Sequence, residues 1–137
     1  SPYLRGFGDV FETPVSRWTE NRAEDILRAG GLEILASSPE VGPCLVQDAG
    51  ARRLFMFNHL EYDRETLGAE YERDVASGGE AQMPLRYFPD DDPTRSPRDR
   101  WRSHAHLLYG NWINQIYQTT PYEMERIGLG EAVDAAG

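Results

Sequence analysis

The chain is poor in the features that would make its chemistry obvious. A single cysteine, Cys44, cannot form an internal disulfide, so a reducing compartment, the cytoplasm, is the expected location. Basic residues are outnumbered 23 to 14 by acidic ones, and the net charge of −9 argues against a nucleic-acid partner, which needs a basic face. No apolar run approaches the roughly 20 residues of a membrane span, so no membrane role is expected. No serine stands in a nucleophile motif, and there are only three histidines. Ser1-Pro2-Tyr3 lacks an initiator methionine and any cleavable signal pattern, and the expectation is a chain that starts inside something longer.

What is present suits one soluble hydrophobic core. The 137 residues are 39% hydrophobic and 11% aromatic, enough for a single domain and too few for two comfortable ones. Residues 3–18, with Gly6, Gly8 and Pro14, read as short strands and loop. Ala23, Ile26 and Leu27 give residues 22–29 helical spacing, stopped by Gly30-Gly31. Residues 32–37, 43–47 and 52–58 read as strands. The last contains Leu54-Phe55-Met56-Phe57, apolar on both faces, which predicts a central strand in a covered sheet. Its neighbours on one side are expected outside this chain.

A helix is predicted from Asp63 as N-cap, with Leu67, Tyr71 and Val75 on one face and Gly78-Gly79 at its end. Residues 80–96, rich in proline and carrying Asp90-Asp91-Asp92, read as a solvated loop. Ser96-Pro97 predicts the start of a long last helix, with Asp99 after the cap. Its stripe is Trp101, Ala105, Leu108, Trp112 and Ile116, and Pro121 limits it. From residue 128 a frayed tail is expected. Strands alternating with helices make this an α/β chain.

The switch from apolar run to charge cluster holds His59 and Glu61. In extended backbone, residues i and i+2 point the same way. A carboxylate can fix a histidine's tautomer and steady its imidazolium, and an imidazole suits proton abstraction near neutral pH. The pattern His-x-Glu is also common, and taken alone it reads more readily as a polar strand end without chemistry. His59, Glu61 and Asp63 could bind a metal, but Asp63 is accounted for as a helix cap, and His104 and His106 face different directions on a helix, so no metal is expected. Arg73 fits an i,i+3 pair with Glu70 on a solvated face, or a bidentate clamp on a substrate carboxylate. Cys44, without a glycine-framed turn, reads as an inert thiol.

Three segments, RGFGDVFETPVSRW, FNHLEYDRETLGAEYERDV and PLRYFPDDDPTRSPRDRWRSHAHLLYGNWINQIYQTTPYE, together resemble the homoserine O-acyltransferases of methionine biosynthesis. They keep that family's order and spacing up to about Met124. The resemblance implies the C-terminal part of a class I glutamine amidotransferase-like, flavodoxin-like three-layer fold, with residues 1–137 one portion of a single acyltransferase domain. It also implies a cysteine–histidine–glutamate site in which His59 is the proton acceptor and Glu61 its partner, while Ser16 and Arg73 contact the substrate. Asn58-His59-Leu60-Glu61-Tyr62 stands where members often carry Gly-His-Pro-Glu-Tyr. The nucleophilic cysteine and a substrate-binding lysine belong to the family's preceding segment, and Cys44 matches neither.

The implied reaction is ping-pong transfer from acetyl-CoA or succinyl-CoA to L-homoserine, with no cofactor and a homodimeric enzyme. This chain alone, without the N-terminal part, is expected to be inactive. A noncatalytic amino-acid-binding module, or an acyltransferase acting on serine, are the competing readings.

Overall fold

The fold was obtained as a computed structural model describing residues 1–79, 81–123 and 125; the expected tail from residue 128 lies outside the described residues. It is an α/β arrangement around a small antiparallel sheet. Helix α1 (Ala23–Ala29) ends where Gly30 and Gly31 take φ of 73° and 71°, a region open to glycine at little cost. The chain then forms β1 (Leu32–Ser38), β2 (Gly42–Asp48) and β3 (Arg53–Met56), paired in the order β1-β2-β3. Between β2 and β3 the Asp48 carboxylate accepts the Ala51 amide at 2.8 Å and holds the turn.

Strand β2 is the buried one: Cys44, Leu45 and Val46 are all enclosed. The strand over residues 52–58, expected to have its neighbours on one side outside this chain, pairs here on one side only, with β2. Among the described residues β3 lies at the sheet edge, and Phe55 is exposed on its outer face. Regular strand geometry ends at Met56, although the Phe57 amide still donates to the Cys44 carbonyl at 2.8 Å. Nor do residues 3–18 contain a strand. A single 3-10 turn (Pro2–Leu4) is followed by irregular chain, in which Phe7 and Phe11 meet edge to face at 5.0 Å.

Helix α2 (Thr66–Ala76) starts three residues after Asp63, which is therefore not its N-cap. The Asp63 carboxylate instead faces Arg102 at 3.2 Å. Leu67 is buried and Tyr71 half-buried, but Val75 is exposed, so the apolar face is shorter than its sequence pattern. Gly68 admits the Tyr87 ring, whose hydroxyl accepts the Gly68 amide at 3.1 Å; a Cβ would stand 3.3 Å from that oxygen.

Helix α3 (Arg102–Thr119) begins five residues later than the Ser96-Pro97 signal predicts. The Asp99 carboxylate does the capping: one oxygen accepts the Arg102 amide at 3.1 Å and the other accepts its guanidinium at 2.7 Å. Trp101 and Leu108 enter the core with Tyr3, Leu45, Leu60, Leu67, Tyr87 and Phe88. Each large apolar side chain removed from water contributes about 1.5–3 kcal/mol. Trp112 and Ile116 are each 43% exposed, so only the first half of the predicted stripe is core. At the exit of the first half, the Asn111 amide donates to the Tyr3 and Arg5 carbonyls at 2.9 and 2.8 Å and pins the N-terminal turn to α3. Among the described residues no helix is long and apolar enough to cross a membrane.

Candidate active site

The site forms where the chain leaves β3. Asn58 is buried and its side-chain amide donates to the Thr13 hydroxyl at 2.9 Å. The next amide, of His59, donates to the Pro14 carbonyl at 2.8 Å. Residues 13–17 are thereby laid alongside residues 58 and 59 as a strap. The Arg17 guanidinium ties that strap to the start of β2 through the carbonyls of Val41 and Pro43. Leu60, 2% exposed, is the apolar anchor that turns its two neighbours outward.

His59 and Glu61 meet as expected, but across a turn closed by the Tyr62 amide on the His59 carbonyl and not in extended backbone. Imidazole Nδ1 lies 2.7 Å from Glu61 Oε1, and both side chains are partly exposed, 31% and 49%. Ser16 also reaches the pair, through its backbone carbonyl, 3.2 Å from His59 Nε2. Both ring nitrogens thus face acceptors. A neutral imidazole has one N–H, so only the imidazolium satisfies both contacts. The shorter contact, to a carboxylate, is the stronger. When the ring is neutral its proton belongs on Nδ1, and Nε2 becomes the nitrogen that can accept a proton once it parts from the Ser16 carbonyl.

Tyr62, which the sequence reading did not single out, forms one wall of the ring. Its phenol stacks on the imidazole with centroids 4.3 Å apart and planes 22° from parallel. The tyrosine hydroxyl donates to Glu70 Oε1 at 2.7 Å, and its backbone carbonyl accepts the Trp101 indole N–H at 2.8 Å. Burial first, then the hydrogen bond and charge of Glu70, push the Tyr62 hydroxyl up to about 12, with Glu61 adding to the rise and Arg73 opposing it. It therefore stays a protonated donor throughout the neutral range.

Arg73 departs from its expected partner. Its guanidinium pairs with Asp74 at 3.0 Å, whereas Glu70 is taken by Tyr62. The Arg73 side chain is 69% exposed and lies within electrostatic reach of Tyr62, which leaves it open to an anion. Cys44 sits buried in β2, where desolvation pushes its thiol up against the opposing charge of Arg17. Asp63 is turned to Arg102, and among the described residues no three histidine, cysteine or acidic side chains gather in a metal-binding group. On its other side Glu61 borders an open cleft of about 290 Å³, shared with Tyr62, Asp63, Arg102, His106 and Tyr109. His104 points elsewhere, its ring centroid 5.2 and 5.5 Å from those of Phe7 and Phe11, as the two-residue offset from His106 predicts.

Comparison with known proteins adds to this geometry. The family model described as homoserine O-succinyltransferase matches residues 1–122. A homoserine O-acetyltransferase of Cereibacter sphaeroides (strain ATCC 17025) is 62% identical over 128 residues, covering 93% of this chain and 42% of the relative. One from Ruegeria sp. (strain TM1040) is 63% identical over 129 residues, 94% of this chain and 41% of the relative. One from Ruegeria pomeroyi is 58% identical over all 137 residues and 44% of its own length. The chain spans less than half the length of these curated relatives.

Proposed function

The chain belongs to the homoserine O-succinyltransferase family, and we propose that it forms the base-bearing part of an acyl-CoA-dependent homoserine O-acyltransferase. The observation that carries the proposal is the 2.7 Å His59–Glu61 contact with Nε2 on the opposite edge of the ring. A binding module has little use for a carboxylate that orients an imidazole. Acetyl-CoA is the donor in this reading, because the relatives at about 60% identity carry the name O-acetyltransferase.

A cysteine thiolate from a segment outside this chain attacks the donor thioester, expels coenzyme A and keeps the acyl group as a new thioester. His59 Nε2 then takes the proton of the homoserine hydroxyl as its oxygen attacks the acyl carbonyl. The C–S bond breaks, and the proton passes from the imidazolium to the leaving sulfur. Glu61 holds Nδ1–H and balances the transient positive charge. Arg73 pairs with the substrate carboxylate in a two-point contact that lysine cannot reproduce. Ser16, whose carbonyl lies beside His59 Nε2, hydrogen-bonds to the same substrate in this reading. These steps require neither a metal nor a redox cofactor.

The same reading makes residues 1–137 one portion of a class I glutamine amidotransferase-like, three-layer domain. A further segment then lies beside the edge strand β3, in keeping with the greater length of the relatives. It extends to a cytoplasmic homodimer serving methionine biosynthesis.

The test is acyl transfer measured with acetyl-CoA, succinyl-CoA and L-homoserine, on this chain and on the longer protein that includes the cysteine segment. Turnover by the longer protein alone is expected. Turnover by the 137-residue chain would overturn the division of the site, and absence of turnover in the longer protein would overturn the assignment. For the binding-module alternative, calorimetry decides: homoserine binding to this chain that survives His59→Ala would favour it.

A further inference from the structure

Two hydrogen bonds along the edge of an imidazole fix where the ring lies but leave it free to tilt about the line joining them. That line runs in His59 from Glu61 through the ring to the Ser16 carbonyl. What stops the tilt is a surface against the ring face, and Tyr62 supplies it at 4.3 Å and 22°. Tyr62 is itself secured at both ends. Its hydroxyl is bonded to Glu70 on α2, and its carbonyl to the Trp101 indole at the start of α3. A third bond, from the Tyr62 amide to the His59 carbonyl at 3.2 Å, closes the turn that folds one ring over the other.

We propose that Tyr62 is a positioning residue for the base: its ring, braced by Glu70, sets the plane of the His59 imidazole and so the direction of Nε2. The proposal rests on the acyl-transfer reading for its kinetic consequence and on geometry alone for its placement. Tyr62 touches neither substrate nor the reacting atoms in this role. Glu70 acts through it: Glu70 Oε2 is buried without a hydrogen-bond partner, so the carboxylate's contact in the structure is the tyrosine hydroxyl. Because the Trp101 bond is made to backbone, replacing the phenol leaves that anchor in place.

The test compares Tyr62→Phe, which keeps the ring, with Tyr62→Leu, which removes it, in the longer protein. Misorientation of a reacting group costs on the order of 10²-fold in rate. Tyr62→Leu is accordingly expected to lower kcat about 10- to 100-fold, with KM for homoserine and acyl-CoA little changed. Tyr62→Phe, lacking one hydrogen bond, is expected to stay within about fivefold of the parent. Unchanged kcat in Tyr62→Leu, a loss confined to KM, or equal losses in the two variants would overturn the proposal.

A second measurement needs no turnover. Stacking places the His59 ring protons over the phenol, and their NMR signals are expected upfield of an unstacked histidine in the parent and in Tyr62→Phe. Ordinary, unshifted signals in the parent overturn the proposal even if Tyr62→Leu does not fold. If the longer protein transfers no acyl group, the functional reading fails while this measurement still decides the stacking.

Discussion

His59 Nε2 stands 3.2 Å from the Ser16 carbonyl, on the ring edge opposite Glu61. The nitrogen best placed to take a proton is therefore covered by backbone. The strap that covers it is held by Asn58, by the His59 amide and by Arg17. In the proposed acyl transfer, proton abstraction requires this contact to open, so the Ser16 carbonyl and the substrate hydroxyl would compete for one position.

Removing the base and removing its partner should differ in degree. In the longer protein, His59→Asn is expected to lower kcat/KM about 10²–10⁴-fold, the usual contribution of general base catalysis. Glu61→Gln keeps an acceptor but loses the charge that steadies the imidazolium, and a loss of about 10²-fold or more is expected. Both side chains are partly exposed, so melting temperatures should hardly move. Steady-state kinetics beside thermal melts checks this, and a fully active His59→Asn would remove the base from the mechanism.

Arg73→Lys separates the clamp from the surface ion pair. An exposed pair such as Arg73–Asp74 is worth about 0–1 kcal/mol, and lysine can replace it. A two-point contact with a carboxylate is not replaceable in that way. The expected outcome is an increase of about tenfold or more in KM for homoserine, with stability unchanged. An unaltered KM would leave Arg73 as a solvated surface residue.

Acid should loosen the start of α3. Burial pushes the Asp99 carboxyl up, but the hydrogen bonds and charge of Arg102 outweigh it and leave it below its ordinary 3.8. A carboxyl lowered in the folded state contributes stability above its unfolded value and loses it as pH falls through the folded one. Thermal melts of the parent should therefore drop more steeply below about pH 3.8 than those of Asp99→Asn. Parallel curves for the two proteins would show that the cap does not depend on charge.

The two halves of the α3 stripe should respond unequally to truncation. Leu108, fully buried, is expected to cost about 2–5 kcal/mol as Leu108→Ala. Trp112→Ala in this chain should cost far less despite the larger deletion, since the ring is 43% exposed. Chemical denaturation measures both, and equal costs would place Trp112 in the core.

The legible parts of the sequence were those decided within a few residues. Gly30-Gly31 stops α1, and a separation of two residues keeps His59 within reach of Glu61, though through a turn and not an extended strand. What escaped depended on partners far along the chain. The run Leu54-Phe55-Met56-Phe57 reads as covered on both faces, yet Phe55 is exposed here, because apolarity does not say what covers a face. The Ser96-Pro97 start signal lost to Asp99, whose carboxylate caps the helix from three residues before Arg102. Glu70 suited Arg73 by helical spacing, but the Tyr62 hydroxyl, delivered by the turn after His59, took it first. The likeness to homoserine O-acyltransferases alone supplied the expected role of Ser16, and the expected role of Arg73 that spacing left undecided.

The order of the strands has a kinetic consequence. Because β1, β2 and β3 follow one another in space as in sequence, their pairing closes only short loops, at low entropic cost. The bonds from Asn111 to Tyr3 and Arg5 close separations of 108 and 106 residues. The meander is thus expected to form early and the N-terminal turn to dock on α3 late. Pulse-labelled hydrogen exchange would then find the β2 amides protected before the Asn111 clamp closes. The turn that carries His59 and Glu61 lies between these two events, anchored at one end by β3 and at the other by Trp101.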